Sequence, residues 1–219
     1  MLMKRPINLL MDYDNIIFDL GGVILNIDYN LTVREFSKLF SCDANIFYNK
    51  NNQLKFFSLL ETGKMSAQSF RDELRNMAAS TTSERFSDEQ LDYAWNCMLL
   101  NYPIERLELL LKIKKLRRIF LLSNINEIHE KECLDRLNKL TSNSSFDPYF
   151  EKVYLSHRVG LRKPHKEIFE LVLKENNLNP LKTVFIDDSI QHVEGARNYG
   201  IDAIHLTTSI MDYFPSEHY

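Results

Sequence analysis

A short apolar run, Ile16-Ile17-Phe18, ends on a carboxylate, Asp19, and two glycines, Gly21 and Gly22, follow within three residues. An apolar segment of this length reads as a buried strand, and the glycines break it into a turn. A parallel sheet opens its ligand crevice at the carboxyl ends of its strands, so Asp19 is placed where chemistry is usually done. Taken singly, the stretch is equally a strand followed by a Gly-Gly turn.

The rest of the chain repeats the pattern. Arg118-Ile119-Phe120-Leu121-Leu122 is a second apolar strand that ends on Ser123 and Asn124. Thr183-Val184-Phe185-Ile186 is a third and ends on Asp187 and Asp188, while Lys152 to Leu155 and Ile201 to Leu206 read as shorter strands. Helical spacings fill the intervals at Ile104 to Leu116, through Ile128, Leu134 and Leu137, and at His165 to Glu175. Such alternation predicts an α/β fold with a parallel sheet. Between the first strand and Asn101 the pattern is all helix and loop, with helices expected from Asn30 to Phe40, Leu54 to Leu60, after Ser66, and after the capping-box sequence Ser87-Asp88-Glu89-Gln90. Gly63 is the expected C-terminal cap of the second of these. A helical insertion over 26–101 is therefore expected, with 1–25 and 102–219 forming the α/β core.

With 219 residues, 44% of them apolar, the chain has enough material for one core and a smaller companion. Lys and Arg number 27 against 30 Asp and Glu, and no basic run stands out, so nucleic acid is not an expected partner. Lys4 and Arg5 precede an apolar stretch from Ile7, but Asp12 and Asp14 cut it short of a signal-peptide core. No segment approaches bilayer length, and a soluble cytoplasmic protein, monomer or homodimer, is expected. Cys42, Cys97 and Cys133 are widely spaced and read as reduced thiols.

If the strands are parallel, Asp19, Ser123, Lys163 and the pair Asp187-Asp188 converge on one edge. Crowded carboxylates repel one another unless a cation lies between them. A hard divalent ion with oxygen ligands resolves that, and Mg²⁺ typically takes one or two carboxylates together with substrate phosphate. Ser123, the backbone N–H groups after it and the Lys163 ammonium suit the phosphate. Each piece also has a plain reading: Ser123-Asn124 as an N-cap, Asp187-Asp188-Ser189 as a helix start, Lys163-Pro164 as a loop.

Four segments in order, FDLGGV from Phe18, LLSN from Leu121, LRKP from Leu161 and FIDDS from Phe185, resemble the motifs of the haloacid dehalogenase superfamily. The resemblance implies a Rossmann-like core with a C1-type helical cap over the site, and a small phosphorylated molecule as substrate. It implies Asp19 as the nucleophile that forms an aspartyl-phosphate, and Ser123, Asn124 and Lys163 as the phosphate-binding groups. It implies Mg²⁺ held by Asp19, the Gly21 carbonyl and Asp188, with Asp187 supporting the site or binding through water. Where most family phosphatases carry a second Asp as general acid, this chain has Gly21. The FDLG-type first motif resembles a subgroup acting on glucose 1-phosphate, whose anomeric oxygen is a better leaving group than an ordinary alcohol.

Glu61, Thr62 and Asn96 are expected to face the substrate from the cap, while Phe56, Phe57, Phe70 and Trp95 are expected in its core. His165 and His192 depart from the usual motif residues and are candidates for donors near the site. Two other functions stay open: a 2-haloacid dehalogenase, which needs no acid at position 21 but does not need Asp187-Asp188 either, and a phosphate-binding regulatory protein without turnover.

Overall fold

A computed structural model describes residues 9–48 and 54–214; the Lys4, Arg5 and Ile7 segment lies outside the described residues. In chain order the elements are α1 (Leu9–Asp12), β1 (Asn15–Phe18), α2 (Tyr29–Phe40), α3 (Lys55–Glu61), α4 (Ala67–Ala78), α5 (Asp88–Asn96), α6 (Ile104–Ile113), β2 (Arg118–Ser123), α7 (Glu127–Thr141), β3 (Lys152–Leu155), α8 (Ser156–Val159), α9 (Lys166–Asn176), β4 (Thr183–Asp187), α10 (Ile190–Tyr199) and β5 (Asp202–His205). Among the described residues the strands form one parallel sheet in the order β3-β2-β1-β4-β5. This is the doubly wound α/β architecture expected from the alternating pattern.

Both faces of the sheet are covered, which is why its central strands are continuous apolar runs. Ile17, Phe120, Leu122 and Phe185 point to one face and pack with Ile168, Phe169 and Val172 of α9 and Val193 and Ala196 of α10. Ile16, Phe18, Ile119, Leu121, Val184 and Ile186 point to the other, where they join a core that runs on through α6 and α7 into the helices between β1 and β2. Phe18 lies opposite Leu121 on one side and Ile186 on the other. The residue after Phe18, Asp19, therefore stands beside the ends of both neighbouring strands, at the point where the strand order reverses.

The first strand ends where the sequence places it, before Asp19 and the two glycines. It stops at Phe18, and Leu20 to Leu25 form a tight turn in which Leu20 O accepts from Ile24 N and Leu25 N and Leu25 O accepts from Gly22 N. Val23, Ile24 and Leu25 are buried nonetheless, because the turn folds back into the core. Buried apolar character does not distinguish such a turn from more strand.

Helices α2 to α5 contribute no strand to the sheet. Ser66 accepts a backbone bond at the start the sequence suggests, Ser87 with Gln90 makes a complete capping box, and Asp28, not marked in the sequence, caps α2 by accepting from Asn30 N. Gly63 follows α3 with φ +64°, and a Cβ there would lie 2.2 Å from His157 O, so the glycine lets this corner rest directly on α8. The segment leaves and rejoins the core side by side. Ile27 pairs with Leu99 in an antiparallel bridge, flanked by bonds from Asn26 N to Asn101 O, Leu100 N to Asn26 O and Asp28 N to Met98 O. Trp95, 1% exposed, is packed among Phe36, Tyr48, Phe57 and Phe70. Phe57 and Phe70 are buried with it, and Phe56 is half-buried against the same rings.

Candidate active site

At the carboxyl edge of the sheet, β1, β2 and β4 deliver Asp19, Ser123 and Asp187, and the loop before α9 delivers Lys163. Lys163 is fully buried. Its ammonium donates to Asp19 Oδ1 at 2.8 Å, Asp187 Oδ2 at 2.6 Å and the Leu122 carbonyl at 2.9 Å. A buried cation is tolerable only when paired and hydrogen-bonded, and here all three ammonium protons have acceptors.

The two carboxylates respond oppositely to the shared lysine. Burial pushes the Asp19 carboxyl up; Lys163 opposes this, Asp187 and Asp188 add to it, and the result is about 7. Burial would raise Asp187 as well, but Lys163 and His192 outweigh it and hold that carboxyl well below the usual range. Asp187 is thus the settled anion. Its oxygens also accept from Ser189 N at 2.7 Å and face His192 Nδ1 at 3.1 Å. Asp19 stands at the cavity wall with its anion disfavoured, and a further cation there would favour it.

Asp19, Asp187 and Asp188 each present an oxygen within 4.8 Å of the others. An all-oxygen set of this charge suits a hard divalent cation. The second glycine makes room for it: Gly22 has φ +75°, and a Cβ there would lie 2.6 Å from the Asp188 carboxyl carbon. Only a residue without a side chain lets Asp188 close down beside Asp19. The residues present therefore fit Mg²⁺, with Asp19 and Asp188 the carboxylates turned to the cavity and Asp187 engaged by Lys163, Ser189 and His192.

A cavity of about 200 Å³ opens over this edge. It is smaller than the roughly 300–1,000 Å³ usual for drug-sized ligands, and suits a small metabolite. Asp19, Gly21, Ser123, Asn124, Asp188 and His192 line one wall; Tyr29, Tyr48, Glu61, Trp95 and Met98 line the other. Arg162 ties the two together, donating to Ser58 Oγ at 2.8 Å and pairing with Glu61 at 3.1 Å. The Trp95 indole N–H and Arg162 Nε are buried and have no hydrogen-bond partner among the described residues, a condition a polar ligand would relieve.

Several candidates from the sequence take other places. Asn124 lines the cavity and its side chain also clamps the backbone of the lysine: Oδ1 accepts from Lys163 N at 2.9 Å and Nδ2 donates to Lys163 O at 3.0 Å. Thr62 is spent on its own helix, donating to Ser58 O at 2.8 Å, and does not line the cavity. Asn96 faces a separate groove with Arg71, Asp92 and Arg136, because it lies one residue around α5 from Trp95. His165 is exposed at the start of α9, outside the cavity. Of the three proposed substrate-facing residues, Glu61 alone lines the cavity.

Tyr29, His129 and Arg162 line the cavity without having been singled out in the sequence. His129 stacks on Trp95 with centroids 4.4 Å apart, places Nε2 3.1 Å from the Trp95 carbonyl and Nδ1 3.1 Å from the Asn126 amide nitrogen. Burial pushes its pKa down to about 4, so the ring is neutral, donating from Nε2 and accepting at Nδ1. Nothing local marks Tyr29 and His129, whose helices reach the site in a direction that packing decides, whereas Arg162 could have been found from its place beside Lys163.

Residues 13–200 match the family described as haloacid dehalogenase-like hydrolase. The chain is 31% identical over 189 residues to D-ribitol-5-phosphate phosphatase of Bacteroides thetaiotaomicron, covering 86% of this chain and 89% of that protein. A 76-residue stretch is 36% identical to a phosphorylated carbohydrates phosphatase of Thermotoga maritima, covering 35% and 33%. A crystal structure of a Bacteroides thetaiotaomicron HAD family enzyme with magnesium and inorganic phosphate superposes with a TM-score of 0.81 at 32% identity, over 93% of this chain and all of that one.

Proposed function

The chain belongs to the haloacid dehalogenase-like hydrolases, and on that premise we propose that Asp19 is the nucleophile of a Mg²⁺-dependent phosphatase acting on a small phosphorylated sugar or sugar alcohol. The observation that carries the reading is the Asp19–Lys163–Asp187 chain: a buried lysine shared by two carboxylates, one settled as an anion and the other facing the cavity beside Asp188. Residues 26–101 act as the cap in this reading, with 1–25 and 102–219 as the core.

An Asp19 oxygen attacks phosphorus while Lys163 offsets charge on both nucleophile and phosphoryl group. Ser123 and the backbone N–H groups beyond β2 orient the phosphoryl oxygens. The ester oxygen departs toward the helical wall, and water then hydrolyses the aspartyl-phosphate. Asp187 fixes Lys163, and Asn124 holds its backbone, so the ammonium does not follow the substrate out. Mg²⁺, held by Asp19, Asp188 and the Gly21 carbonyl, supplies neutralisation of phosphoryl charge when bound.

Support for a sugar or polyol comes from the two named relatives and from the cavity, whose wall pairs an aromatic face with polar groups at Glu61, Arg162 and the Trp95 indole. Gly21 favours a sugar 1-phosphate among these, because an anomeric oxygen leaves without strong help. The test is a panel of anomeric and terminal sugar and polyol phosphates, assayed for inorganic phosphate with Mg²⁺ and with EDTA, beside a 2-haloacid assayed for halide. Phosphate release that EDTA abolishes and Mg²⁺ restores is expected. Halide release that survives EDTA, or ligand binding with no turnover, would overturn the reading, and equal rates on a simple primary alkyl phosphate would overturn the preference for C1.

A further inference from the structure

Two residues of the cavity wall carry a buried donor with no acceptor among the described residues: Trp95 at its indole N–H and Arg162 at Nε. Such donors are rare in folded proteins, because each has given up its bond to water and received nothing in return. Neither donor is free to turn toward another acceptor. Trp95 is wedged among Phe36, Tyr48, Phe57 and Phe70 and stacks on His129. Its carbonyl accepts from Thr32 Oγ1 at 2.9 Å and faces His129 Nε2 at 3.1 Å, so backbone and ring are held together.

Arg162 is fixed from both ends. Its Nη1 donates to Ser58 Oγ at 2.8 Å and its Nη2 pairs with Glu61 at 3.1 Å, while Asn124 clamps the backbone of the next residue, Lys163. A guanidinium is planar, so two tied nitrogens set the direction of the third. Charge then limits what these donors can serve. Glu61 already balances Arg162, His129 beside Trp95 is neutral, and Asp19 and Asp188 stand on the opposite wall. A carboxylate or second phosphate would meet no unbalanced cation on the helical side, whereas a hydroxyl oxygen accepts from either donor without bringing charge.

We propose that Trp95 and Arg162 are the specificity-determining residues for the part of the substrate beyond the phosphate, selecting an uncharged, hydroxyl-bearing chain; the inference rests on the phosphatase reading above. With the ester held at Asp19, Ser123 and Lys163, the indole N–H and Nε donate to hydroxyl oxygens of the alcohol. Neither residue makes or breaks a covalent bond. A site built on such donors rejects an analogue that lacks the hydroxyls, because binding it leaves the donors buried and unpaired. It also rejects an anionic chain, for want of a counterion.

The experiment measures kcat/KM with Mg²⁺ on ribitol 5-phosphate, on pentyl phosphate, which has the same carbon chain without hydroxyls, and on 2-phosphoglycolate, which carries a carboxylate instead. Wild type is expected to favour ribitol 5-phosphate over each of the others by at least about 10²-fold. Trp95→Phe keeps a ring in the aromatic cluster and Arg162→Lys keeps a cation for Glu61, and each removes one donor. Each is expected to lower the preference for ribitol 5-phosphate over pentyl phosphate about tenfold. Variants that lose equally on both esters, or keep the full preference, would overturn the proposal. The wild-type comparison decides without them: equal rates on ribitol 5-phosphate and pentyl phosphate, or a preference for 2-phosphoglycolate, would also overturn it. p-Nitrophenyl phosphate separates the two readings, since a wild type that releases phosphate from it but shows no preference among the others sinks this proposal alone. Release from none of these esters would overturn the phosphatase reading itself.

Discussion

The two walls of the cavity are held by opposite means. On the sheet side, charge is matched to charge: Lys163, Asp19 and Asp187 are buried together, and Asn124, Ser189 and His192 fix them in turn. On the helical side, position comes from packing of Trp95 with Tyr48, Phe57 and Phe70, and polar bonds cross to the core at a few points. Those points are Arg162 to Ser58 and Glu61, Glu127 to the Ala67 N–H at 2.6 Å, Arg136 to the Leu99 and Leu100 carbonyls, and His129 to Trp95. A charged wall tolerates almost no substitution, because each group is another's counterion. A packed wall is free to change its lining while keeping its place, which is what a surface that selects substrates requires.

The contrast is sharpest at the nucleophile. Asp19→Asn keeps the shape of the side chain, so the fold should persist by circular dichroism while phosphate release falls by at least about 10⁴-fold, as for removal of a nucleophile elsewhere. Activity within a hundredfold of wild type would show that the sheet wall does not carry the chemistry. Lys163→Met strips the counterion from two buried carboxylates and is expected to cost about 3–5 kcal/mol in urea unfolding, with activity lost as well. A loss under 1 kcal/mol would mean that the charges are not interdependent.

The glycines divide the effect more finely. Gly22→Ala places a Cβ against the Asp188 carboxyl group at a backbone angle that side chains avoid, and should raise the Mg²⁺ needed for half-maximal activity about 10- to 100-fold. Gly21→Ala meets only the movable end of Ile27 and should shift it less than about threefold. Equal effects would break the assignment of Asp188 as the metal-side carboxylate.

A smaller effect probes the helical wall. His129 is held neutral to about pH 4 in the folded chain and takes a proton near 6.5 when unfolded. Its folded pKa is lowered, so the stability linked to it is complete above pH 6.5 and declines as the pH falls toward 4. Urea unfolding at pH 7.5 and 4.5 should show about 2–3 kcal/mol lost through this group, and His129→Gln should lose correspondingly less between the same two pH values. An identical pH dependence in the variant would remove His129 from the junction.

How far the sequence reached follows the same division. The sheet, its parallel sense and the convergence of Asp19, Ser123 and Asp187-Asp188 were legible because each lies at the end of an apolar run, and strand ends in a parallel sheet share an edge; Lys163, in the loop before α9, was placed with them by the motif it belongs to. The end of β1 was legible as well, because the glycines after Asp19 break the run; that Val23, Ile24 and Leu25 are buried within the turn was not. Helix starts at Ser66 and Ser87 were legible because capping depends on residues three or four apart. Which face of each helix meets the cavity was not. Trp95 reached it and the adjacent Asn96 turned to another groove; Glu61 reached it and the adjacent Thr62 did not.

Local order thus wrote the chemistry of the sheet wall into contiguous motifs, where chain direction alone brings side chains together. Tertiary packing decided the rest: that Asn124 serves Lys163, that Gly22 yields space to Asp188, and that Ile27 fills the place beside Gly21 while Tyr29 lines the cavity. The physical reason is that contacts between a helix face and a distant strand depend on the angle at which whole elements pack. No residue spacing within one element records that angle.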